Sequence, residues 1–390
     1  MNPDSIPDRI RQGNALLVSA VFLVLIWLPT ADWIFHFDRA PIPNEKRLPA
    51  AFPKFNGLGR SRDFVSGLEQ YFNDHFGFRK RLIRANNHWK RQVFRDAPSN
   101  DVITGRDGWL FSTSNRMLDH YFGLARFSQD DLEAWRQLIE ERRDWLAKRG
   151  IKYLFTIPPD KHTIYPEYLP EWLAKSAKPT KLDQFMEYMK AHSTVEVLDL
   201  RGPLLNAKPL GAIYLKTDTH WNMLGGFIAY QALIQALSRQ IPDLKPLPLN
   251  AFDRQPTNIP AGDLAEIAGN TSMRETQQVR FTPRPPLKPF KVTTDPSRLL
   301  KKWTKGTDPT ISESDRPRGK AILFRDSFSS SWKPILGYHF KEVLYIWQYY
   351  WDAAFLEREK PDVVIDEILE RFFNTEDPRE LMRKDDLRQP

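Results

Sequence analysis

Cysteine is absent from all 390 residues, which excludes disulfides, thiolate catalysis and zinc–thiolate sites. The absence assigns no compartment, because a domain of this size buries enough core to fold without staples. No internal repeat is visible along the chain. No small-x-small cleavage motif follows the N-terminal apolar run. No base-stacking or groove-reading motif points to nucleic acid.

What is present describes a packed globular protein, with 41% apolar and 13% aromatic residues. The length suits one large α/β domain or two smaller ones. The net charge of +8 and pI near 9.4 suggest an anionic partner. The excess is uneven: Val279–Lys320 holds eleven Lys/Arg against four Asp/Glu. That segment reads either as one wall of a groove for an anionic glycan or as a solvated loop.

The N-terminal stretch "NALLVSAVFLVLIWLP" is strongly apolar, and no charge occurs from Gln12 to Ala31. The aromatic-rich "TADWIFHF" continues it, as at a membrane interface. We therefore expect a short cytoplasmic tail (1–12), an uncleaved anchor (13–35) and a Pro-rich linker (36–60). Arg9 and Arg11 precede the run and the next basic residue is Arg39, which favours a cytoplasmic N-terminus. The bulk of the chain, 61–390, would then lie outside the cytoplasm, in the periplasm of a cell with an inner membrane.

Helical patterns cover about 62–73 and 78–94, and "VITGRDGWLF" reads as a hairpin on its Asp-Gly turn. From Ser128 the rhythm becomes α/β. Ser128 and Asp131 form a capping box for a helix ending at Gly150. "IKYLFTI" (151–157), "VEVLDL" (195–200), "AILF" (321–324), "EVLYI" (342–346) and "DVVIDEI" (362–368) read as buried strands between helices. That alternation predicts a mostly parallel sheet with helices on both faces. Residues 240–318 interrupt it as a Pro-rich insertion with strand-like pieces such as "QVRFTP" and "FKVTT", which we expect to cover one end of the sheet.

Two motifs carry candidate chemistry. "LKTDTHWNMLGG" (215–226) places Asp218 and His220 two residues apart, so their side chains share one side of an extended segment. "AILFRDSFSSSW" (321–332) puts Ser327 where a strand ends, the edge at which open α/β sheets bind ligands, and ahead of a predicted helix whose N–H groups suit an oxyanion. A serine needs a base, and His220 held by Asp218 is the natural one. Each motif alone is common. Asp and His are also metal ligands, but no third ligand stands at metal spacing, so we expect no metal.

Together these motifs resemble the SGNH-hydrolase-like alginate O-acetyltransferase family of the AlgJ/AlgX type. "NEKRLPA" (44–50), "YFNDHFGFR" (71–79), "GRDGWLF" (105–111), "PPDKHTIYPEYLP" (158–170), "GDLA" (262–265) and "KPDVVIDEILER" (360–371) extend the likeness in order. The resemblance implies a three-layer SGNH-like α/β fold with circularly permuted motif order and a membrane-anchored chain. It implies Ser327 as nucleophile, His220 as base and Asp218 as its partner, with no cofactor. It implies acetyl transfer to hydroxyls of an exported polysaccharide, alginate or similar. The implied partners are a membrane O-acyltransferase that supplies the acetyl groups and other polysaccharide export proteins. Arg325 stands where Gly-Asp-Ser enzymes have glycine, which leaves the second oxyanion donor open. Lys161, Tyr165, Trp221 and Arg325 are the candidate substrate contacts. A polysaccharide acetylesterase and a non-catalytic secretion subunit are the alternatives.

Overall fold

Apolar runs between capping motifs leave few ways to bury their surface, and a covered parallel sheet is the common one. A computed structural model describes residues 8–35, 37, 52–53, 61–78, 81, 101–173, 178–270, 272–295, 309–315, 319–385 and 387. The chain divides into two units, Met1–Pro98 and Ser99–Pro390.

In the first unit, helices α1 (Asp8–Phe35) and α2 (Ser61–His75) are described. Helix α1 occupies the stretch expected to be an anchor. Among the described residues, no helix is long and apolar enough to cross a membrane. Several side chains of that stretch, including those of residues 8–15, 17 and 25, lie outside the described residues. So do nearly all of the linker at 36–60 and of the helical pattern at 78–94.

The second unit opens with a hairpin, β1 (Val102–Thr104) and β2 (Leu110–Ser112), paired antiparallel as the Asp-Gly turn predicts. Helix α3 (Gln129–Ala147) starts at the Ser128/Asp131 capping box. The central sheet has seven strands: β3 (Lys152–Ile157), β4 (Val197–Asp199), β7 (Lys291–Thr294), β8 (Thr310–Glu313), β9 (Lys320–Phe324), β10 (Glu342–Ile346) and β11 (Val363–Glu367). Their order is β4-β3-β11-β9-β10-β8-β7. Pairing is parallel from β4 to β10 and antiparallel at β8 and β7, so the sheet is mixed.

Alternate side chains enter opposite cores, as a strand covered on both faces requires. Leu154, Leu323, Val363 and Ile365 enter one core, against the helix α5 (Met223–Leu237). Tyr153, Phe155, Ile322, Phe324 and Val364 enter the other. That second core is closed by α3, α4 (Lys181–His192), α6 (Ala353–Glu359) and α7 (Pro378–Lys384).

The insertion does not simply cap the sheet. Part of it forms a separate ribbon, β5 (Phe252–Pro260) with β6 (Arg274–Pro283), and β7 and β8 lengthen the sheet at its edge. The basic residues of 296–308 and 316–318 lie outside the described residues.

Candidate active site

The first half of the site is a tight loop between Ile213 and Asn222. It is closed by Leu215 N–H donating to the His220 carbonyl (3.1 Å) and Asn222 N–H donating to the Ile213 carbonyl (3.0 Å). Asn222 then caps α5: its Oδ1 accepts from the Leu224 and Gly225 N–H groups, both at 3.0 Å. Gly225 lies against the Ile213 carbonyl, where a Cβ would collide. The loop is thus pinned to the first turn of α5.

The second half follows β9, where the ladder carries on through Arg325 N–H to the Ile346 carbonyl (2.9 Å). Asp326 then folds the chain back. Its Oδ1 accepts from Phe328 N–H (3.0 Å), and its Oδ2 accepts from Leu369 N–H (2.8 Å) and the Tyr349 hydroxyl (2.7 Å). Glu367, fully buried on β11, accepts from Asp326 N–H at 2.9 Å. Burial and the charge of Asp326 push the Glu367 carboxyl well above its usual range. The segment after Ser327 is a short 3-10 stretch, Phe328–Trp332, and its first N–H is already taken by Asp326.

These two halves bring the three expected residues together. His220 Nε2 lies 2.6 Å from Ser327 Oγ, and His220 Nδ1 lies 2.6 Å from Asp218 Oδ1. Asp218 Oδ1 also accepts from His220 N–H at 2.9 Å. Burial opposes ionisation of Asp218, but its hydrogen bonds and the imidazole hold it well below the usual carboxylate range. Trp221 bolts the halves together: its Nε1–H donates to the Phe328 carbonyl and to Ser331 Oγ, both at 2.9 Å. Nucleophile, base and orienting carboxylate are the chemistry such a row permits.

A family model described as SGNH hydrolase-like domain, acetyltransferase AlgX, matches residues 102–306, more than half of the chain. The chain belongs to that family. The matched range contains Asp218 and His220 and stops before Ser327. Among curated relatives, the probable alginate O-acetylase AlgJ of Pseudomonas putida is 35% identical over 139 residues, covering 36% of this chain and 34% of that protein. Its namesake in Pseudomonas fluorescens is 30% identical over 264 residues, covering 65% and 60%. The chain thus spans about a third to three fifths of the length of these relatives. Bacillus cereus PatB1, solved with a sulfonyl adduct, superposes with a TM-score of 0.54 at 15% identity, covering 71% of this chain and 96% of that one. That likeness concerns the fold alone and extends it over most of this chain.

In this AlgX-type domain the four candidate substrate contacts are committed to protein partners. Lys161 is buried, and its ammonium donates to the carbonyls of Leu215 (3.0 Å), Lys216 (3.2 Å) and Asp218 (2.6 Å). Burial lowers its pKa to about 7, against the opposing pull of Asp218, Asp263 and Glu275. The Tyr165 hydroxyl accepts from Ile213 N–H at 2.9 Å, and burial raises its pKa to about 12. Tyr165 also lines an open cavity of about 420 Å³ with Trp109, Tyr168, Lys208 and Lys216. Arg325 is 1% exposed, donates to the Asp326 carbonyl (2.7 Å) and Ser330 Oγ (2.9 Å), and stacks over Trp347. Trp221 is the bolt already described. These side chains shape the site from within its walls. A charged or aromatic residue at the ligand end of a sheet carries no sequence signal for the direction in which it points.

Sequence reasoning also missed Asp263. Metal spacing along the chain gave no third ligand beside Asp218 and His220, yet the fold delivers this one from the insertion. One ligand atom each of Asp218, His220 and Asp263 lies within 4.8 Å of the others. Both His220 nitrogens already face Asp218 and Ser327, which suits proton transfer better than metal ligation. Its only sequence trace was membership of "GDLA".

Proposed function

We propose that this protein transfers acetyl groups to hydroxyls of an exported acidic polysaccharide, alginate or a similar polymer. The observation that carries the reading is the row Ser327 Oγ, His220 Nε2, His220 Nδ1, Asp218 Oδ1, with both contacts at 2.6 Å. Family membership and the name of the AlgJ relatives support acetyl transfer as the reaction.

In the proposed mechanism Ser327 Oγ attacks the donor's acetyl carbonyl while His220 Nε2 takes the hydroxyl proton. Asp218 fixes the tautomer that leaves Nε2 free to accept and stabilises the resulting imidazolium. Ser327 N–H is the oxyanion donor available beside the nucleophile. The tetrahedral adduct collapses to acetyl-Ser327, and the leaving group departs with the proton from His220. A sugar hydroxyl then yields its proton to His220 and attacks the ester, releasing acetylated polymer and free Ser327. No cofactor enters these steps.

We further propose a single-pass inner-membrane protein with this domain in the periplasm, on the strength of the uncharged apolar run before Ala31. A membrane O-acyltransferase would supply the acetyl group and export proteins the polymer. The test incubates the soluble domain with a small acetyl ester, with and without acceptor oligosaccharide. Acetylated oligosaccharide supports transfer, and free acetate alone indicates an esterase. Equal turnover by Ser327→Ala overturns the assignment of the nucleophile.

A further inference from the structure

Asp218 is held from two directions, and the second comes from the insertion. The short helix Asp263–Ile267 begins against the Asp218 loop. Asp263 N–H donates to Asp218 Oδ2 at 3.1 Å. The Asp263 carboxylate accepts from Thr219 N–H (2.8 Å) and from the Thr219 hydroxyl (2.7 Å), between the two triad members of this loop. Gly262 N–H donates to Thr217 Oγ1 (2.9 Å), and Ala265 N–H to the Thr217 carbonyl (3.0 Å). Gly262 packs so close to Asp218 that a Cβ there would overlap its carboxylate. Glu275 on β6 accepts from Thr217 N–H (3.0 Å) and Oγ1 (3.2 Å).

We propose that Asp263 is a positioning residue for the base: it fixes Thr219 and the orientation of Asp218, and through them the His220 ring. The proposal rests on the triad reading above. With Oδ2 of Asp218 held by Asp263 N–H, Oδ1 is left facing His220 Nδ1, and Thr219 cannot rotate without breaking two bonds to Asp263. An Asp263 carboxylate oxygen lies within 4.8 Å of a His220 ring nitrogen, so the residue sits beside the base it positions. Among the described residues, the charged groups on and around this loop include Asp218, Lys216, the Lys161 ammonium beneath it, Glu275 from the ribbon and Arg371 beyond Lys161. The insertion thus completes a site whose triad comes from the flanking α/β elements.

The test uses hydrolysis of a small acetyl ester by the full chain, with Ser327→Ala as the control for the site itself. Asp263→Asn keeps an acceptor for Thr219 and removes the charge, whereas Asp263→Ala removes both. Both variants should lower kcat with KM little changed, Asp263→Ala by about tenfold to a hundredfold, the scale of a small misplacement of a reacting group. Asp263→Asn, which keeps an acceptor for Thr219, should recover part of the kcat lost in Asp263→Ala, with KM unchanged in both. Thr219→Val, which leaves Asp263 in place and cuts one of its bonds, provides a second, milder case, expected to lower kcat less. Wild-type kcat in both Asp263 variants, with Ser327→Ala inactive, would overturn the proposal alone. An active Ser327→Ala would overturn the triad reading, and this proposal with it.

Discussion

A lysine ammonium removed from water needs all three of its hydrogens placed, and beneath the Asp218 loop the carbonyls of residues 215, 216 and 218 take them. Neutral Lys161 has one donor fewer than this cradle requires. With its folded pKa near 7 and an ordinary value of 10.5, the unfolded chain holds a proton that the folded chain releases between those limits. Its contribution to stability therefore rises with pH across that window, because the unfolded state binds more protons there. Urea midpoints measured from neutral to alkaline pH should show this slope, and Lys161→Met should flatten it. Asp218→Asn leaves the loop shape but permits the wrong imidazole tautomer, so kcat on an acetyl ester should fall by roughly 10⁴-fold. A steady-state comparison with wild type checks it. Residue type at the ligand end of the sheet singled out Ser327, His220 and Asp218 in the sequence, and the fold brings them within hydrogen-bond distance. It carries no direction for Lys161, Tyr165, Trp221 and Arg325, whose polar atoms the fold turns to protein partners. Asp263 stayed hidden, since its contact spans 45 residues and no local pattern records it.

At the scale of elements, the legible features were those with local causes. The Ser128/Asp131 capping box, the Asp-Gly hairpin and the apolar runs of β3, β9, β10 and β11 all depend on neighbours in sequence. The edge strand β7 was legible as the strand-like "FKVTT", whereas β8 was not, and the antiparallel pairing of both depends on partners far along the chain. Helix α5 shows how an element positions chemistry. Asn222 caps it through Oδ1 and also ties the Ala212 carbonyl through Nδ2 at 2.7 Å. Asn222→Ala should cost about 1 kcal/mol from the cap alone, read as a lower denaturation midpoint.

At the scale of the molecule, the 99–390 unit is closed by a buried ionic knot beside the second core. Arg142 of α3 donates to Asp366 on β11 (2.7 Å) and to Asp385 near the C-terminus (2.8 and 3.0 Å). Trp351 Nε1–H and the Tyr153 hydroxyl donate to the same Asp366 at 2.9 and 2.7 Å. Removing the cation leaves two buried carboxylates facing each other, so Arg142→Leu should destabilise the fold by about 3–5 kcal/mol, measured by denaturant unfolding. The division of the chain at Pro98 gives a second expectation. A fragment spanning 99–390 should fold and retain ester turnover, while the full chain should require detergent for extraction from membranes.

The proposed transfer requires one covalent event at Ser327. The full chain, mixed briefly with an aryl acetate and quenched in acid, should gain the mass of one acetyl group on the peptide that contains Ser327. Ser327→Ala should show none, and His220→Ala should show little. An acetyl group that forms elsewhere, or product release with no acetylated Ser327 in either wild type or Asp218→Asn, would contradict it.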